Sequence, residues 1–192
     1  MKLTKAQSKL RSLLYAAVSA KDLPSVQSLL KDGASPTSDM LTTAIWNNSH
    51  DILHALAPSG IDLETRSPRY GTPLDCAISQ KNITAIHILL KAGASPNGES
   101  IYGKLLHAAV VMQFPEAIKA LIAAGADLEA PKDRFGQSPL ILAALFDYAD
   151  MAQLLLNAGA NPNATDTAGN TVRAVAQKQK STAVLKLLPP PP

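Results

Sequence analysis

Apolar residues return along this chain in short clusters at helical spacing: Ile52, Leu53 and Leu56; Ile86, Leu89 and Leu90; Ile118, Leu121 and Ile122; Met151, Leu155 and Leu156. Residues three and four apart share one face of a helix, so each cluster predicts a short amphipathic helix with one side to bury. A glycine follows each cluster within four residues, at Gly60, Gly93, Gly125 and Gly159, where a left-handed backbone can end the helix. Another helix is predicted ahead of each cluster. Its start is marked by Thr72-Pro73 and by Ser138-Pro139, a hydroxyl for the N-cap followed by proline where its missing N–H does no harm.

The same phrase recurs at the ends of the second helices: LLKDGASP at 29–36, LAPSGIDLE at 56–64, LLKAGASPN at 89–97, LIAAGADLE at 121–129 and LLNAGANPN at 155–163. An alanine lies sixteen residues before each central glycine (Ala17, Ala44, Ala77, Ala109 and Ala143), and Ala176 continues the series. The alanine steps are 27, 33, 32, 34 and 33 residues. A second phrase surrounds the alanines, TPLDCA at 72–77, KLLHAA at 104–109, SPLILA at 138–143 and the degraded TVRAVA at 171–176. Helices this short cannot bury their apolar faces alone, so the units must stack.

The two phrases at one fixed separation resemble the ankyrin repeat, over about residues 7–188. The resemblance implies an all-α solenoid of helix-turn-helix units with projecting β-hairpin fingers. It divides the chain into repeats 7–36, 37–66, 67–98, 99–132, 133–165 and 166–188 of a single domain, with a proline tail at 189–192. The first and last repeats act as caps. The chain departs from the family in three places. The 27-residue first step is six short between Pro36 and Thr37, so the first finger should be missing. Between the paired helices, where the family often has glycine, stand Lys21, Asn48, Lys81, Gln113, Asp147 and Lys180. A left-handed backbone there suits Asn and Asp and costs stability at lysine. In the last repeat, Arg173 replaces a leucine, which fits a wet outer face.

Composition narrows the function. Of 192 residues, 46% are hydrophobic and 17% charged, so the chain can bury a core and is not disordered throughout. One cysteine excludes an internal disulfide framework and suits a reducing compartment. No secretory signal is visible at the N-terminus, no apolar run spans a bilayer, and the expected location is cytoplasmic or nuclear. Residues 1–31 and 166–192 are basic while 32–165 carry net −5, which argues against a nucleic-acid surface. No nucleic acid, membrane, metal or cofactor is expected.

Aromatic residues are few, and three precede a glycine at the predicted finger tips: Tyr70-Gly71, Tyr102-Gly103 and Phe135-Gly136. Stacking at about 10 Å per layer would line them up along one edge. The fourth tip has Ala168-Gly169 instead. Trp46 and Phe146 fall just after the repeat alanine. The resemblance puts Trp46, Val111, Met112, Leu145 and Phe146 on the floor of a concave groove, with Arg69, Arg134 and Gln137 at its polar rim. Aromatics beside an apolar floor have the composition of an interface hot spot. The expected function is non-catalytic binding of another protein by a monomer, the partner offering an apolar segment with some acidic character. The tip rings could instead pack on neighbouring fingers and stiffen the array.

Nothing in the sequence matches a phosphate loop, a dinucleotide fingerprint, a zinc protease motif or a nucleophile elbow. An enzyme or small-molecule binder working in the same groove would draw on Asp75, His107, Asp147 and Tyr148. The resemblance makes His107 structural, bonding loop backbone. His54 and His87 share one polar repeat position and read as solvent-facing, without a third metal ligand. His50 reads as a local loop contact, and Cys76 as a buried, inert thiol. The tail offers a further alternative: Lys186, Pro189 and Pro192 match a minimal ligand for SH3-type domains. Sequons at Asn47, Asn82 and Asn163 mean little without secretion.

Overall fold

The computed structural model describes residues 4–67, 70–131 and 135–190. The chain divides into two compact units, Met1–Ser95 and Pro96–Pro192. In the first, α1 (Lys5–Ser19), α3 (Ser38–Trp46) and α5 (Pro73–Ser79) pack side by side. Behind them α2 (Leu23–Lys31), α4 (His50–Leu56) and α6 (Ile83–Lys91) form a second layer, each against its own first helix. The second unit opens on a hairpin, β1 (Glu99–Ser100) antiparallel to β2 (Gly103–Lys104), with Glu99 opposite Lys104. In it α7 (Leu105–Val111), α9 (Pro139–Leu145) and α11 (Val172–Gln179) form one layer. The other layer is α8 (Pro115–Ala123), α10 (Ala149–Asn157) and α12 (Thr182–Leu187).

The predicted caps are in place. Thr72 Oγ1 accepts the N–H of Asp75 at 3.2 Å, and Ser138 Oγ that of Ile141 at 3.4 Å. Thr171 caps the degraded repeat in the same way, through Ala174 at 3.1 Å. All six repeat alanines are buried in the first-helix layers, where a larger side chain would force neighbouring helices apart.

Both kinds of helix end share one stop. The carbonyl of each repeat alanine accepts the N–H five residues on, from Asp22, Ser49, Asn82, Phe114, Tyr148 and Ser181, at 2.8–3.0 Å. This closure needs a left-handed residue at the penultimate place. The chain supplies Lys21, Asn48, Lys81, Gln113, Asp147 and Lys180, all with φ between 47° and 59°. The lysines thus carry the strain expected of them. At the second helices the same stop falls on glycine; Gly33, Gly93, Gly125 and Gly159 have φ between 84° and 98°.

Residues 32–37 run straight from α2 into α3 without strand pairing, so the first finger is absent as the short step predicts. Later fingers are built from the β1–β2 hairpin and from single bridges joining Ser67 to Gly71 and Thr165 to Thr171. Gly71 must be glycine twice over. Its φ is +71°, and a Cβ there would lie 2.3 Å from Asp75 Oδ2.

Candidate partner-binding faces

In the first unit, helical spacing puts Asp39, Thr42, Thr43 and Trp46 on one side of α3. Tyr15 of α1 and Tyr70 of the finger lie next to them, and with Ser67 these residues line a cleft of about 550 Å³. The rings of Trp46 and Tyr70 meet at 5.2 Å, tilted by 50°. Trp46 is 50% exposed and Tyr15 48%. The hydroxyls of Thr42 and Thr43 both donate to the Asp39 carbonyl, at 2.9 and 2.7 Å.

The second unit presents its own apolar strip. Val111 ends α7 and Met112 caps it; Leu145 ends α9 and Phe146 caps it. Val111, Met112 and Leu145 are half-buried, while Phe146 is 50% exposed and stacks on Tyr148 at 5.5 Å. At the tips, Tyr102 is half-buried beside Ile101, which is 80% exposed, and Phe135 is 51% exposed. The backbone of Phe135 is tied down even though its ring is open, because its carbonyl accepts the N–H of Thr167 in the next finger at 3.0 Å. Gln137 is half-buried, and its carbonyl bonds His107. The rim residues Arg69 and Arg134 lie outside the described residues. Tyr70 belongs to one compact unit, Tyr102 and Phe135 to the other.

Tyr15, Leu13 and Ile101 are the exposed apolar residues that the sequence reading passed over. Tyr15 had a legible signal. It stands two residues before the repeat alanine, as do Thr42, Asp75, His107 and Ile141, all of them buried. His107 shows what covers that position: its Nδ1 accepts the N–H of Lys104 at 3.2 Å, and its Nε2 donates to the carbonyl of Gln137 in the following finger at 3.0 Å. The two bonds fix a neutral imidazole with its proton on Nε2, a structural role. No finger follows the first repeat, so Tyr15 stays open. Ala174, at the same place in the last repeat, is exposed.

A ladder of loop contacts also escaped the sequence reading. Glu64 accepts the N–H of Ser95 at 2.8 Å, Asn97 that of Asp127 at 2.8 Å, and Glu129 that of Asn161 at 2.7 Å. Each acceptor stands four residues after one terminating glycine, and each donor two after the next. The spacing was visible in the DLE and SPN phrases, but Glu and Asn there look like ordinary surface residues.

The residues that invited catalysis or metal binding are engaged elsewhere. Asp147 Oδ1 caps α12 through the N–H of Val184 at 3.0 Å. His50 Nε2 meets Asn82 Oδ1 at 2.9 Å, so its contact is with the loop of the next repeat, 32 residues on, and not the local one expected of it. Cys76 is buried, and burial, with the Asp75 charge beside it, pushes its thiol up to about 12 against an opposing hydrogen bond with Trp46. His54 and His87 are exposed and line a shallow pocket of about 400 Å³ with Lys91. Among the described residues, no group of three or more His, Cys, Asp or Glu could hold a metal ion, and no helix is long and apolar enough to cross a membrane. At the tail, Arg173 donates to the carbonyls of Leu188, at 3.2 Å, and Pro189, fastening the start of the prolines to α11. Pro192 lies outside the described residues.

Comparison with known proteins agrees with the architecture. A family model described as ankyrin repeats, three copies, matches residues 11–100 and 102–189. Glycerophosphocholine phosphodiesterase gde1 of Schizosaccharomyces pombe is 32% identical over 136 residues, 68% of this chain and 12% of that protein. Inversin of Mus musculus is 37% identical over 83 residues, 43% of this chain and 8% of that protein. The chain thus spans about a tenth of the length of these curated relatives. Among solved structures, the ankyrin repeat domain of Bcl-3, described as a unique member of the IkappaB protein family, superposes with a TM-score of 0.82 at 26% identity, covering 92% of this chain and 84% of that one. The ankyrin repeat protein EF0377 gives 0.79 at 24% identity, covering 93% and 96%, a likeness of fold. From the paired phrases, the two-layered helices and the family match across both units, the chain belongs to the ankyrin repeat family.

Proposed function

We propose that the protein is a non-catalytic module that binds another protein through the finger-side faces of its two units. One observation carries the reading. Among the described residues, the large apolar side chains left exposed are Leu13, Tyr15, Trp46, Ile101, Phe135 and Phe146, and every one sits on a first helix, at its end, or at a finger tip. The second-helix layer exposes none of them. A soluble surface scatters such residues, and their confinement to the first helices and finger tips is the pattern of an interaction surface.

Trp46, Tyr70, Tyr102, Val111, Met112, Phe135, Leu145 and Phe146 form the contact area in this reading. Gln137, Arg69 and Arg134 serve as its rim, where the arginines would favour acidic residues of the partner. The protein acts as a monomer in the cytoplasm or nucleus, without cofactor. What gde1 and Inversin do as whole proteins does not transfer, because so little of each is matched.

The test is affinity co-purification with mass spectrometry from native extract, comparing the wild type with a Tyr70→Ala, Tyr102→Ala, Phe135→Ala triple variant whose circular dichroism is unchanged. A protein retained by the wild type and lost by the variant is expected. Equal capture by both would overturn the reading.

A further inference from the structure

We propose that the cleft uncovered by the missing first finger receives a cationic side chain of the partner, an arginine carried on an extended peptide segment. The inference rests on the reading of the finger side as partner-binding and names what one part of it recognises. Its walls are Tyr15, Trp46 and Tyr70, two of them about half exposed to solvent, so ring faces are open to a guest. Of the polar groups among them, Asp39, Thr42 and Thr43 offer electron pairs, while the hydroxyls of Ser67 and the two tyrosines can donate as well as accept. Asp39 presents an exposed carboxylate. Thr42 and Thr43 have given their hydroxyl hydrogens to the Asp39 carbonyl, and what remains to them is lone pairs. Among the described residues lining the cleft there is no lysine or arginine.

The three classes of guest fare differently here. An acidic side chain would meet Asp39 and the negative faces of the rings. A purely apolar one would cover the aromatic walls and strip water from Asp39 without giving it a partner. A cation gains from the ring faces and from the carboxylate at once. Arginine suits the geometry better than lysine, because its flat guanidinium can lie on the indole of Trp46 while its fork reaches Asp39 two bonds at a time. The equivalent repeat positions lack this arrangement: Asp75 and His107 are buried where Tyr15 is open.

Trp46 is the chain's one tryptophan, so a single indole N–H resonance reports on a wall of the cleft. Capped pentapeptides Ala-Ala-X-Ala-Ala with X as arginine, citrulline or glutamate would be titrated into the full chain while this resonance is followed. The arginine peptide is expected to move it saturably with a dissociation constant in the millimolar range or below, and the neutral isostere citrulline to bind at least about fivefold more weakly. Asp39→Asn, at an exposed position, should weaken the arginine peptide about threefold or more at low salt. No saturable shift with arginine, or equal affinity for citrulline or glutamate, would overturn the proposal. The two readings fail separately: an inert cleft with partner capture still lost in the triple variant removes only the arginine, whereas a responsive cleft with unchanged capture removes the wider interface and leaves the cation site.

Discussion

Tyr15 and His107 occupy the same place in the repeat and have opposite surroundings. His107 is fully buried, bridging the backbone of its own finger at Lys104 and of the next at Gln137. Tyr15 has no following finger and faces solvent. The difference is one deletion of about six residues between Pro36 and Thr37, and it turns a buried packing position into an open one. A finger in this fold does two jobs: it carries a tip outward and closes the helix layer behind it. Removing one uncovers whatever stands behind, and here that is an aromatic ring beside an acid.

The contrast can be broken first at its buried side. His107→Ala empties a fully buried site and leaves the half-buried Lys104 N–H and Gln137 carbonyl without their shared partner, and should lower stability by about 2–4 kcal/mol in urea unfolding. On the open side, Trp46→Ala should cost about 2 kcal/mol of partner affinity, roughly thirtyfold, in a direct titration with whichever protein is captured. Glu129→Ala, which releases the N–H of Asn161 in an exposed loop, should cost about 0.5–1 kcal/mol of stability. Lys81→Gly relieves a left-handed lysine and should raise stability by about 0.5–1 kcal/mol, whereas Asn48→Gly gains less. Smallest of all, Tyr15→Ala should change the unfolding midpoint by no more than about 0.5 kcal/mol. If Tyr15→Ala proves as costly as His107→Ala, the two positions are equivalent after all.

Cys76 sharpens the comparison through pH. Its thiol lies next to Trp46, one of the cleft walls, and is held up to about 12 by burial and Asp75. A folded value above the unfolded one means the native state keeps its proton longer. The associated stability is therefore present below the unfolded value near 9.0 and is lost as pH rises from there towards 12. Unfolding midpoints should fall more steeply over that window in the wild type than in Cys76→Ala. At pH 8 the native thiol should react with a disulfide reagent far more slowly than the unfolded one.

Periodicity made the architecture readable because every unit must solve the same problem with the same parts. The alanines at the helix contacts, the glycines at the second helix ends and the Thr-Pro and Ser-Pro caps each answer one local demand. Even the six non-glycine stops could be located, since the Ala-to-stop distance never changes. The missing finger was visible as a 27-residue step. What it uncovers was not, because the covering of Tyr15's position by a later finger is a contact between repeats and leaves no mark on spacing within one. The loop ladder through Glu64, Asn97 and Glu129 was hidden for the same reason. Trp46 and Phe146 were legible as groove residues because they fall two and three residues after the repeat alanine, at the end of the first helix, where the resemblance puts the groove floor. Ile101 was not, since a lone isoleucine in a turn has no period to betray its direction.

The most direct measurement places a photo-cross-linking benzoylphenylalanine in turn at Trp46, at Phe146 and at His87, and irradiates each protein in native extract. Covalent adducts to one and the same protein from positions 46 and 146, and none from His87 on the second-helix layer, are the predicted result. Adducts from His87 with none from either finger-side position would contradict the assignment of binding to that face.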